Sequence, residues 1–312
     1  MRSEADLATC YERPDATVRA MEVGPVRRRC DVCGTERAVV PALEHLVRCL
    51  ECGFVYYPTD KEIDFRAMYG PEYFAGFEYV DYLGQEGALR RSMRRHLRQM
   101  ARYRPLGGAM LEVGCAYGFF LDEARRVFDK VAGIDVAEAP VEYARDTLCL
   151  DARTGDFPSM SLDAGSFDVI CFWDTIEHVA RPDRFVAKAY DVLRDAGHLF
   201  LTTGDIGSRV ARWQGKSWRQ IHPPTHLSYF SRRTISMLLA RSGYEVVGIE
   251  TAPYFHTLFN VLATVRLRGG TPGQIAERLL HVLPTPVVQR LGGWVDLRDI
   301  MFVAARKRAP AD

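Results

Sequence analysis

Long apolar runs are missing from this chain of 312 residues. None approaches the ~20 residues that cross a bilayer. An excess of either charge is missing too. The 41 basic and 40 acidic residues leave a net charge of +1, so no global basic field asks for nucleic acid and there is no acidic tail. Lysine is scarce, 5 of the 41 basic residues, a composition bias without mechanistic content. The opening stretch MRSEADLATCYERPDATVRA carries acids where a signal peptide needs an apolar core. These absences argue against secreted and membrane proteins and lead to the expectation of a cytoplasmic protein. Internal repeats and low-complexity tracts are absent as well. What remains is 47% hydrophobic and 26% charged, the composition of a globular chain with a sizeable core.

The chain divides by pattern. Residues 1–25 mix charge with Pro14 and Pro25 and read as a flexible tail. Residues 26–60 hold two CxxC pairs, and 61–104 form an aromatic stretch followed by a helix with Leu89, Met93, Leu97 and Met100 at helical spacing. From 105 to 312 strands and helices alternate. Strands are expected at 109–114, 131–136, 167–173, 198–203, 244–250 and 300–307. Helices are expected at 118–128, 138–148, 182–197 and 231–243, the last with Ser231 as N-cap and Gly243 as stop. This alternation predicts an α/β fold, a doubly wound, mostly parallel sheet of seven strands. Residues 251–298 are long for a connection and read as an inserted lid or dimer element, so a homodimer is one expectation. Pro284 and Pro286 interrupt any long membrane-surface helix there.

There are eight cysteines, and without an export signal a disulfide framework is not expected. Cys30-x2-Cys33 and Cys49-x2-Cys52 are separated by 15 residues, the spacing of two zinc knuckles. Two such turns aim four thiolates at one point. A four-thiolate site has no open position, so the expected Zn2+ is structural, and its binding energy folds a ribbon too small for a core of its own.

The first strand of the α/β region runs into Glu112-Val-Gly114-Cys-Ala116-Tyr-Gly118 and then a helix. Strand, glycine turn and helix make a nucleotide-binding unit, because glycine lets backbone approach a ligand closely. Asp135 ends the next strand, 21 residues after Gly114, near the ~20 expected of an acid that binds a ribose. Asp156 and Phe157 follow as a polar and aromatic pair suited to a purine. A dinucleotide site fits less well. The turn lacks phosphate-cradling glycines, and Glu112 would repel a diphosphate.

The runs MLEVGCAYG, GIDV, GDF and FDVICFWDTIEHV, in this order, resemble the motifs of class I S-adenosylmethionine-dependent methyltransferases. The whole chain resembles the bacterial branch that carries an N-terminal zinc ribbon. Ala116 replaces a glycine of the first motif. The resemblance implies a Rossmann-like methyltransferase domain over 105–312 with S-adenosyl-L-methionine as cofactor. It implies that Gly114 and Gly118 line the methionine end, Glu112 orients the amino group, Asp135 holds the ribose, and Asp156 and Phe157 sit at the adenine. Ala116 and Trp173 complete that set, with Tyr73 closing over it from the aromatic stretch.

After the strand at 167–173, Asp174-x-x-Glu177-His178 resembles the E-x-x-E-H segment that binds a divalent metal in quinone-biosynthesis O-methyltransferases, with Asp174 in place of the first Glu. The alternative is that Glu177 and His178 brace the fold. Residues 213–230 form a long loop holding His222, His226 and Tyr229, similar to the acceptor wall of ribbon-bearing methyltransferases. Pro223-Pro224 stiffens the approach to His226. His226 and His178, with Asp174 and His222, are the candidate catalytic residues, since a histidine takes a hydroxyl proton at neutral pH. The bland alternative is a histidine bonded to backbone to set the loop.

These residues lead to the expectation of methyl transfer to a hydroxyl of a small-molecule or glycan acceptor. An rRNA or tRNA methyltransferase that docks RNA through the ribbon is the first alternative. Arg90, Arg91, Arg94, Arg95, Arg98, Arg102 and Arg104 on the 85–104 helix invite that reading. The net charge, and the lack of an Asn/Asp-Pro-Pro-Tyr/Phe motif, argue against nucleic acid. A non-catalytic binding module is the second alternative, and the full run of cofactor motifs weakens it.

Overall fold

A computed structural model describes residues 29–36, 39–43, 45–58, 68–69, 82–267 and 269–309. The expected tail at 1–25 and Tyr73 lie outside the described residues. The elements are β1 (Val39–Pro41), β2 (Val47–Cys49), β3 (Val55–Tyr56), α1 (Glu86–Met100), β4 (Ala109–Val113), α2 (Phe119–Ala124), β5 (Lys130–Asp135), α3 (Glu138–Asp146), β6 (Asp151–Thr154), β7 (Phe167–Trp173), α4 (Pro182–Val192), β8 (Leu193–Gly204), α5 (Arg209–Gln214), β9 (Ser228–Tyr229), α6 (Arg232–Arg241), β10 (Tyr244–Thr251), β11 (Tyr254–Thr257), α7 (Leu258–Leu267), α8 (Gly270–Val282), α9 (Thr285–Arg290), β12 (Gly292–Val295) and β13 (Ile300–Lys307).

Seven strands form one sheet in the order β10-β13-β8-β7-β4-β5-β6. All are parallel except β13, which runs antiparallel between β8 and β10. The doubly wound, mostly parallel sheet expected from the alternation is therefore present. Its apolar strands are buried on both faces, and side-chain alternation splits them between two cores. Val169, Cys171 and Trp173 face α1, α2 and α3, packing on Met93, Phe120 and Val141. Ile170 and Phe172 face α4 and α6, packing on Val186 and Ile235.

Local chemistry sets most element ends. Ser231 caps α6 by accepting from Thr234 N, and its own N–H donates back to Thr234 Oγ1, a reciprocal capping box. The helix expected to run to residue 197 stops at Val192, because Leu193 is extended and begins β8. The register of β8 against β7 breaks between Phe167 and Val169, and Ala196 there has φ 58°. Gly197 thus belongs to an irregular strand start.

The cysteine segment forms a second sheet in the order β1-β2-β3-β9. Its last strand comes from the long loop after β8. The residues at 251–298 fold as the hairpin β11–β12 with α7, α8 and α9 between its strands. Phe255 N in β11 donates to Ser92 Oγ of α1 at 3.0 Å. Among the described residues no helix is long and apolar enough to cross a membrane.

Candidate active site

The carboxyl ends of β4, β5 and β7 open into a cavity of about 1430 Å³, the position of the ligand crevice in open α/β sheets. The turn after β4 is left-handed at Gly114 (φ 78°), Ala116 (φ 42°) and Gly118 (φ 76°). A Cβ on Gly114 would overlap Thr175 Oγ1, so only glycine lets β4 and β7 end this close together. Ala116 and Gly114 line the cavity, whereas Gly118 does not. A Cβ there would lie 2.9 Å from Ala144 Cβ and 2.8 Å from Leu150 Cδ1. Gly118 therefore gives α2 room to pack on α3.

Asp135 ties the turn to the next one. Its Oδ2 accepts Ala116 N at 2.8 Å and its Oδ1 accepts Ala137 N at 2.9 Å. Burial raises its pKa, and these amides oppose the rise. Asp135 also lines the cavity, and a carboxylate can accept from further hydroxyl donors there. Glu112 stands behind the turn, 3% exposed and off the cavity wall. Its Oε2 has no hydrogen-bond partner, and burial followed by the charge of Asp135 pushes its pKa well up. Asp156 is exposed at the cavity rim, while Phe157 is 1% exposed and packs edge-on against Phe172 at 6.1 Å. Trp173 lines the wall and stacks on His96 at 4.8 Å.

The segment after β7 carries the acids. Asp174 has φ 45°. Its Oδ1 accepts from Thr202 Oγ1 at 2.9 Å, and its Oδ2 accepts from Tyr254 OH at 2.5 Å. Glu177 is 3% exposed with Oε2 unpartnered, and burial followed by Asp174 raises its pKa well above the usual range. His178 donates Nδ1–H to Thr225 O at 3.0 Å, so it turns toward the histidine loop and away from Asp174. Among the described residues the only histidine, cysteine or carboxylate group whose ligand atoms converge for a metal is the four-cysteine cluster. The Asp174, Glu177 and His178 atoms do not converge.

Three histidines meet on the wall. The rings of His178 and His226 are 4.5 Å apart and edge-on, and those of His222 and His226 are 3.8 Å apart. His226 donates Nδ1–H to Gln220 O at 3.0 Å. This fixes the tautomer that keeps a lone pair on Nε2. Burial holds His178 and His222 down at about 4. Burial, then His178, holds His226 well below 6.5. All three are neutral at physiological pH. Tyr229 is turned away, its hydroxyl donating to His226 O at 2.9 Å.

The residues that sequence reasoning missed come from distant segments. They are Tyr254 on β11, Thr202 on β8, and Asp299, which accepts from Trp218 Nε1 at 2.8 Å and Arg219 Nη2 at 3.0 Å beneath the histidine loop. The polar hydroxyl of Thr202 inside an apolar strand was the one available signal. Several arginines of the 85–104 segment make contacts within the protein. Arg90 pairs with Glu86, Asp122 and Glu123, Arg102 with Glu250, and Arg91 and Arg95 lie over Phe255 and Trp294.

The four cysteines form a closed cluster. Cys30 Sγ lies 3.6 Å from Cys52 Sγ, and Cys33 Sγ lies 3.9 Å from Cys49 Sγ. Thiolates about 2.3 Å from one tetrahedral ion stand ~3.8 Å apart. Each knuckle closes alike, with Gly34 N on Cys30 O and Gly53 N on Cys49 O, both at 2.8 Å.

Comparison with known proteins agrees with this arrangement. The family model described as Methyltransferase domain matches residues 86–249, more than half of the chain. The protein belongs to that family. A ubiquinone biosynthesis O-methyltransferase of Nitrosococcus oceani is 35% identical over 103 residues, 31% of this chain and 44% of that protein. A Mycolicibacterium smegmatis protein named as a probable S-adenosylmethionine-dependent methyltransferase is 30% identical over 166 residues, 52% of this chain and 62% of that protein. The chain thus spans about half the length of these relatives. In fold it is similar to the YcgJ protein of Bacillus subtilis, with a TM-score of 0.51 at 13% identity, covering 69% of this chain and 99% of that one.

Proposed function

We propose that the protein methylates a hydroxyl oxygen of a small-molecule or glycan acceptor. The neutral histidine cluster carries this reading: His226 lines the cavity, and its Nδ1–H is committed to Gln220 O, which leaves the ring's lone pair on Nε2. S-adenosyl-L-methionine supplies the electrophilic methyl when bound. Gly114 and Ala116 would face its methionine end, and Asp135 would accept from the ribose. The orphaned oxygen of Glu112 fits an ammonium reached through water. Asp156, Phe157 and Trp173 would border the adenine and methionine ends of the same cavity.

The protein's part in the transfer is alignment and proton removal. A hydroxyl beside His226 Nε2 loses its proton to that nitrogen as the oxygen–carbon bond forms and the sulfur–carbon bond breaks. Burial and the neighbouring His178 disfavour a standing imidazolium, so His226 would take the proton only as the oxygen–carbon bond forms. The Tyr254–Asp174 pair would hold the acceptor from the β11 side. We further propose one structural Zn2+ on Cys30, Cys33, Cys49 and Cys52, for which the sulfur spacing fits.

The test is methyl transfer from deuterated-methyl cofactor to panels of phenols, sugars and sugar nucleotides, with products read by mass and carbon NMR. A methoxy carbon is expected. An N-methyl or C-methyl product would overturn the assignment to oxygen.

A further inference from the structure

The loop that bears the histidines is held partly from outside. Its one strand, β9, has two residues, and its sheet partner is β3 of the cysteine ribbon. Val55 pairs with Tyr229 and Tyr56 with Ser228. Tyr57 N then donates to Leu227 O at 2.9 Å. On its other side the loop donates Leu227 N and Ser228 N to Glu177 O, at 2.8 and 3.0 Å. The stretch from Leu227 to Tyr229, directly after His226, is thus gripped between the ribbon and the segment that carries His178.

The ribbon is itself tied down at its knuckles. Cys49 N donates to Phe54 O at 2.8 Å, so the second knuckle sets the residue that opens β3. The Phe54 ring lies 5.2 Å from Phe230, the residue after β9. Arg241 of α6 donates to Val32 O between Cys30 and Cys33 at 2.8 Å, and its guanidinium fills the space beside Gly34. Ribbon residues Arg29, Asp31, Tyr56, Tyr57 and Pro58 also line the cavity.

We infer that the four-cysteine ribbon is a positioning element of the active site. Its metal-closed knuckles hold β3, β3 holds β9, and β9 fixes His226 and the wall beside it. This rests on reading that wall as the acceptor side. The cofactor turn hangs on other contacts, those of Ala116 and Ala137 with Asp135 and of Gly114 and Cys115 with Ile134 O. Loss of the metal therefore uncouples the two halves: the acceptor wall loosens and the cofactor half persists.

The experiment is backbone hydrogen exchange, read by mass spectrometry, on the full chain with S-adenosylhomocysteine present. It compares zinc-loaded, chelator-stripped and zinc-restored protein. Stripping should speed exchange about tenfold or more in 220–230 as well as in 29–58. Zinc should restore it. Exchange in 109–135 should stay slow, and calorimetric affinity for S-adenosylhomocysteine should stay within about threefold. Arg241→Ala, which keeps all four thiolates, should loosen 220–230 in the same direction with zinc content unchanged. Unchanged protection of 220–230 after stripping would overturn the inference, and so would simultaneous loss of 109–135. If the coupling appears but His226→Gln methylates at the wild-type rate, the positioning stands and the acceptor reading of the wall falls.

Discussion

Tyr254 and Asp174 are joined by a 2.5 Å hydrogen bond on the cavity wall, linking the hairpin of the inserted region to the end of the central strand. The bond is one-directional. Burial raises the pKa of Asp174, while the hydroxyls of Tyr254 and Thr202 oppose that rise. Burial and the nearby carboxylate keep Tyr254 protonated as the donor. Tyr254→Phe should therefore push the Asp174 pKa higher. The acid limb of the kcat/KM profile should move to higher pH, and stability should fall by about 1–3 kcal/mol for an acceptor left short of a partner. A profile that superimposes on the wild type would exclude Asp174 from the reaction.

His226→Gln should lower kcat by about 10²–10⁴-fold, the usual range for general-base help, with cofactor affinity nearly intact by calorimetry. Loss of cofactor binding or of the fold would make His226 structural, and unchanged turnover would move the base to His178.

Asp135→Ala removes a carboxylate that closes two backbone turns at the cofactor cavity. Affinity for S-adenosylhomocysteine should drop by about 1.5–3 kcal/mol, the range for hydrogen bonds to a charged group. Titration calorimetry giving wild-type affinity would place the ribose elsewhere.

The two turn glycines should separate. Gly114→Ala drives a methyl into Thr175 on the cavity wall and should cut cofactor affinity more than stability. Gly118→Ala strikes Ala144 and Leu150 behind the wall. It should lower the denaturation midpoint, with a strain cost of about 1–3 kcal/mol at positive φ. The reverse pattern in paired calorimetry and urea melts would exchange their roles.

His96 gives an acid-stability signature. Wholly buried under Trp173, it has its pKa lowered to about 4 by burial, then opposed by Gln99. A lowered histidine leaves stability full above the unfolded value of ~6.5 and removes it as pH falls toward the folded value. By pH ~4.5 this group should cost about 2.5 kcal/mol. Urea unfolding of His96→Phe should lose that much less than wild type between pH 7 and 4.5. Parallel losses would assign the acid sensitivity to other groups.

Much of this was legible in advance because burial writes itself into long apolar strands. Phe167–Trp173 and Ile300–Lys307 match their expected bounds residue for residue, and Ser231 caps its helix through a chemistry that needs no tertiary partner. The edge strand Asp151–Thr154 was not assigned as a strand, since its alternating Asp and Arg face water and only Ala152 is buried. Ser228–Tyr229 is a strand solely because the ribbon lies beside it. Tyr254 meets Asp174 across 80 residues, a separation no local pattern encodes. The helix-packing role of Gly118, against Ala144 and Leu150, is likewise a long-range contact that the turn motif does not encode.

Strand β13 stands inside the sheet between β8 and β10, although it is the last of the three to be synthesised. During translation β8 keeps an open, apolar edge until residues 300–307 emerge. At usual elongation rates the roughly 100 intervening residues take about 5–20 s. An unpaired interior edge of this length is a template for other nascent chains. The protein should thus depend on chaperone shielding late in synthesis, and ribosomal products ending before residue 300 should aggregate where full-length chains do not.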